Sequence, residues 1–136
     1  MATRKLVPVL ATLVAVILLL DAGWAVFARV FGWYHGHVII FLSMVMYIVA
    51  GFVAYDCGGR VLSALAGAVL CIVDNTVGTL ITWCILPAPV ARTLPSIPDL
   101  APMLAASVVL ALALGLIGGL LAATRHHLQE RRRSTT

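Results

Sequence analysis

Four long runs of apolar residues, at about 6–28, 38–55, 61–86 and 103–124, constrain this chain more than any other feature. A helix needs about 20 such residues to cross a bilayer. In 136 residues, four runs of this length leave no segment over for a soluble domain that would cover them. Composition agrees. Apolar residues make up 62% of the chain and charged residues 10%, against about 45–50% and 25% in soluble domains. Mean hydropathy is +1.10. A water-soluble globular domain is excluded for the whole chain, and so is intrinsic disorder, which requires low hydrophobicity. The expected fold is all-α: a single transmembrane domain over residues 1–136, built as a bundle of four membrane-spanning helices.

Punctuation between the runs sets their order in space. Arg4 and Lys5 precede the first run, and Ala22, Gly23 and Ala25 near its end give it a likeness to a secretory signal. Because three more runs follow, it is read as an uncleaved span. Trp24 and Phe27, with Trp33, Tyr34, His35 and His37 in the connection that follows, form the pattern of an interfacial aromatic belt. Asp56-Cys57-Gly58-Gly59-Arg60 is a tight turn, since paired glycines admit positive φ. It makes the second and third runs antiparallel neighbours. Pro87, Pro89, Pro95, Pro98 and Pro102 mark a connection that is extended or forms a short helical cap. Residues 125–136 are expected to be a frayed or weakly helical basic tail.

Charge fixes the orientation. With both termini in the cytoplasm, Arg4, Lys5, Arg60, Arg125, Arg131, Arg132 and Arg133 lie inside, and only Arg29 and Arg92 lie outside. Positive-inside bias therefore places both ends in the cytoplasm of a cell inner (plasma) membrane. The net charge of +4 is concentrated at the C-terminus. Beside a membrane span, Arg125 and Arg131–Arg133 are candidates for lipid headgroup contact rather than for nucleic acid.

Helices in a bilayer associate through small residues that let backbones approach. Ser107, Ala111, Gly115, Gly119 and Ala123 recur every four residues in the fourth run, and Ser63, Gly67, Cys71, Asn75 and Thr79 do so in the third. Ser43, Tyr47, Gly51 and Tyr55 repeat the pattern in the second. Such stripes either pack the chain on itself or dock another subunit. Gly67, Ala111, Gly115, Gly119 and Ser107 are the candidate packing residues.

Two carboxyls stand inside the runs. A charged carboxylate at the centre of a span costs about 2.5–3.5 kcal/mol on insertion scales. At a rise of about 1.5 Å per residue, Asp21 lies about 22 Å along its run and Asp74 about 20 Å along its own, measured from the same face. They are thus expected at one level. Asp74, Gly78 and Thr82 share a helix face, flanked by Asn75 and Thr79. The candidate intramembrane polar cluster is Asp21, Asp74, Asn75, Thr76 and Thr79. Its chemistry is that of a proton relay or cation exchange, or of a hydrogen-bonded tie between helices.

No motif for a catalytic nucleophile, phosphate loop, dinucleotide site or zinc protease is present. Cys57, Cys71 and Cys84 have neither disulfide nor metal spacing. His35 and His37 lie a membrane away from His126 and His127, which disfavours a shared haem or metal. No catalytic residue, metal or cofactor is expected, and the protein is read as a non-enzyme.

The stretch Gly51-Phe-Val-Ala-Tyr-Asp-Cys-Gly-Gly-Arg60, then Ala66-Gly67, Asp74-Asn-Thr-Val-Gly78, Ile81, Trp83 and Pro87, resembles small uncharacterised bacterial inner-membrane proteins. Those share a Gly-Gly-Arg turn and an Asp-x-Thr-x-Gly element in the following span. The resemblance implies a bacterial origin and carries no assigned activity. Small multidrug exporters, which place a Glu midway in span one, and fluoride channels fit less well. The sequence points first to a non-enzymatic scaffold or accessory subunit of a membrane complex. Its partners would be the lipid bilayer and either other membrane subunits or a second copy, without nucleic acid. The alternative is a small proton- or cation-coupled transporter or channel using Asp74 and Asp21.

Overall fold

The computed structural model describes residues 3–33, 37–86 and 97–134. Helix α1 spans Thr3–Phe31, α2 His37–Val73, α3 Thr79–Ile85 and α4 Ile97–Ser134, with a π-helical turn at Asp74–Gly78 between α2 and α3. Among the described residues there is no strand. Three helical stretches are long and apolar enough to cross a membrane: Leu6–Phe31, Val38–Ile85 and Ala101–Arg133. The chain is therefore an all-helical membrane-protein fold.

The middle stretch is not straight. Gly58 (φ −165°, ψ 22°) and Gly59 (φ 67°, ψ −154°) leave helical geometry. Gly59 occupies a region open almost only to glycine. Tyr47 and Asp74 stand 27 residues apart, about 40 Å along a straight helix, yet the Tyr47 hydroxyl donates to Asp74 Oδ2. The chain must reverse at the two glycines. The expected turn at residues 56–60 is present, and the first arm of α2 lies beside the second.

Helix α4 packs chiefly against α2. Its small residues let it touch both arms at once. A methyl group added at Gly115 would lie 2.5 Å from the Ser63 carbonyl oxygen, and one at Gly67 would lie 2.5 Å from that of Ala111. Gly51, on the other arm, presses on the Gly115 backbone, and Gly118 presses on the Ile48 carbonyl. Pairings advance together along the first arm (Gly51 with Gly115, Tyr55 with Gly119) and oppositely along the second (Ser63 with Gly119, Gly67 with Ala111). The first arm is thus parallel to α4 and the second antiparallel. Ser107 is half-buried, while Ala111, Gly115 and Gly119 are buried. The stripe on α4 is covered by this chain's own α2.

Helix α1 packs on α2, the π turn and α3. Its inward face is Ile17, Asp21, Ala25 and Ala28, a spacing of four, four and three that keeps one side of a helix buried. Large apolar residues such as Leu19, Val30, Phe41, Val61 and Val109 point outward, as expected where the surrounding solvent is lipid. Gly32 (φ +66°) closes α1 in the left-handed cap conformation. Leu86 is extended (φ −72°, ψ 147°) where α3 ends, the conformation favoured just before a proline.

Two expectations at the C-terminal helix are corrected. The proline-rich connection is expected to reach Pro102, but α4 begins at Ile97. Pro98 is tolerated there because the N–H it lacks would have no helical acceptor in the first turn, and Pro102 lies within the helix. Residues 125–134 are not frayed: α4 continues through them, about 15 Å further. Leu, Arg, Gln and Glu in this stretch are good helix formers, and Arg131–Arg133 stand where the helix dipole favours cations. The expected proline-rich connection at 87–96 lies outside the described residues.

Candidate functional site

Asp21 and Asp74 converge. Asp21 lies on the buried face of α1 and is 8% exposed. Its Oδ2 occupies the place a side chain on Gly78 would take, and the Asp74 Oδ1 is 3.5 Å from that same place. Glycine at position 78 is what lets the two carboxyls share this point. The level predicted from helix rise alone is the level observed.

The two carboxyls are not equivalent. Asp74 Oδ2 accepts the Tyr47 hydroxyl from the first arm of α2. Asp21 Oδ2 is fully buried and has no hydrogen-bond partner. Asp74 is the carboxyl that faces it. Carboxylate oxygens only accept, so two of them in contact leave an acceptor unanswered. Such a buried, unsatisfied group costs about 1–3 kcal/mol, more when charged.

The π turn shapes the wall. Wide turns of this kind occur mostly as single bulges and often at functional sites. Here the Asn75 side chain donates to the Cys71 carbonyl at 3.0 Å and approaches its sulfur at 3.3 Å. Thr79 donates to the Asn75 carbonyl at 2.8 Å, and Thr82 to that of Gly78 at 2.9 Å. These groups serve their own helix and leave Asp21 alone. Thr76 is a correction: it is exposed and donates to the Ile72 carbonyl at 2.6 Å. Residues two apart on a helix do not face the same way, so Thr76 cannot accompany Asp74.

The site as built is Asp21, Asp74, Tyr47 and Gly78, with Cys71 and Asn75 behind it. Sequence reading placed Tyr47 only in a packing stripe. Periodicity gave no signal that sets it apart, since Tyr55 stands in the same stripe. Arg29, a conceivable partner for Asp21, instead donates to the Ile85 carbonyl at 3.0 Å.

The aromatic residues Trp24, Phe27, Phe31 and Trp33 do cluster, with ring centroids 4.6–6.0 Å apart. Tyr34, His35 and the His37 side chain lie outside the described residues. At the Gly58–Gly59 end, His126 Nε2 is 2.8 Å from Asp56 Oδ1, and the Arg125 guanidinium lies 5.9 Å from the Phe52 ring centre. These contacts tie the start of the basic segment to the turn. Among the described residues no group of three His, Cys, Asp or Glu side chains is arranged to hold a metal ion.

No protein-family model, curated protein or solved structure matches this chain.

Proposed function

We propose that this protein is a small polytopic membrane protein that moves a proton or small cation across the bilayer through its Asp21–Asp74 pair. Helix α1, the two arms of α2 (the second continued by α3) and α4 are its four crossings. Both termini are cytoplasmic, in a bacterial inner membrane, with Arg125 and Arg131–Arg133 at the anionic headgroups. The observation that carries the reading is the meeting of two carboxyls from different helices, one of them buried with an unanswered oxygen. Ionisable groups inside a membrane fold typically mark ion pathways. The accessory-subunit reading drew on the small-residue stripe of α4, which α2 covers here.

The test is flux. Purified protein in liposomes should pass protons, sodium or potassium down an imposed gradient. Asp21→Asn and Asp74→Asn should each lower that flux at least about tenfold, as expected when a proton-handling group is removed. Undiminished flux in both variants, with assembly intact, would overturn the proposal.

A further inference from the structure

We infer that the ion held by this pair is a proton, seated on Asp21 Oδ2 and shared toward Asp74, rather than a metal cation. The inference rests on the transport reading and narrows it to one ion.

Space argues first. The Asp21 oxygen already fills the position that even a methyl group on Gly78 would need. On that side of Asp21 an ion of finite radius has no room against the Gly78 backbone, whereas a proton needs none. The donor set argues second. Hard cations such as calcium and magnesium gather about six or more oxygens. The side-chain oxygens here are two carboxyls and the Tyr47 hydroxyl, and the Asn75 and Gly78 carbonyls already accept Thr79 and Thr82. Hydrogen-bond bookkeeping argues third. What Asp21 Oδ2 lacks is a donor. Tyr47, Asn75, Thr79, Thr82 and Arg29 all donate elsewhere, and the buried indole N–H of Trp83, itself unpaired, makes no hydrogen bond to it.

A proton supplies what is missing. Uptake forms one O–H bond on Asp21 Oδ2 and removes one negative charge. That hydroxyl then donates to the Asp74 carboxylate, which Tyr47 holds in place from its other side. Release breaks the O–H bond and returns the proton to water, and no electron moves. The titratable groups facing Asp21 are Asp74 from the π turn, with Tyr47 and Cys71 of α2 behind it.

Infrared difference spectroscopy of the full chain in liposomes, across a pH step, reads this seat directly. A protonated-carboxyl C=O band should appear, shift in heavy water and vanish in Asp21→Asn. Tyr47→Phe keeps both carboxyls and should move the band without removing it. Flux is measured in parallel under a proton gradient, and under sodium or potassium gradients at constant pH. The band together with proton flux supports the inference. The band without flux of any ion upholds the proton seat and removes the transport reading. Sodium or potassium flux that needs both carboxyls, with no band, overturns the proton and leaves the transport reading standing. Neither band nor flux overturns both.

Discussion

Gly78 decides whether the two carboxyls can meet. Any side chain there would enter the space of Asp21 Oδ2, and forced overpacking of a fitted interior typically costs about 1–3 kcal/mol. Gly78→Ala should therefore lower thermal stability in detergent, and Asp21→Ala in the same background should restore much of it. Strictly additive losses in that double-mutant cycle would mean that the two residues do not touch. Much of this site was legible in the sequence. Helix rise is fixed by geometry, so residue counting alone put Asp21 and Asp74 at one depth. Azimuth was harder. Thr76 was grouped with Asp74 by proximity in the chain, although it turns away, and Tyr47 was hidden because its partner lies 27 residues on. Long-range pairing of this kind depends on the crossing of helices, which periodicity does not encode.

At the scale of elements, the contact between α4 and the two arms of α2 is made by backbone against backbone. Gly118 has the Ile48 carbonyl and the Phe52 nitrogen where its side chain would be, while Gly23 on α1 has nothing within 4 Å. Gly118→Val should destabilise the fold by about 1–3 kcal/mol or more, and Gly23→Val should leave the melting temperature nearly unchanged. Equal melting temperatures for the two variants would contradict the packing. The stripes on the second, third and fourth runs were readable because a four-residue repeat of small side chains needs no knowledge of the partner. Their convergence on Gly115 was not readable, since the expected turn at Gly58–Gly59 does not fix which face of each arm meets α4. Past Thr124 a frayed or weakly helical tail is expected from its polar composition; the helix runs on instead because Leu128, Gln129, Glu130 and the arginines favour it.

For the whole molecule, the number of crossings is the first thing to establish. With α2 folded back on itself, four crossings put the C-terminus on the same side as the N-terminus; three would put it opposite. A fluorescent protein fused after Thr136 should therefore fluoresce in a bacterial host. Alkaline phosphatase fused after Gly32 should be active, and the same enzyme fused after Gly59 should be inactive. An active phosphatase after Thr136 would instead support a single crossing by the middle stretch. The all-helical membrane class followed from hydropathy alone, because a bilayer admits few ways to satisfy backbone polar groups.

Helix α4 is synthesised after both arms of α2, yet it is the one that covers them. While the ribosome is still translating residues 97–134, the glycine-lined cleft between those arms has only lipid or the insertion machinery to fill it. Assembly of the arms therefore waits on α4. Chains interrupted before α4 would expose that cleft, and membrane-bound quality-control proteases would have a ready means of telling unfinished copies from finished ones.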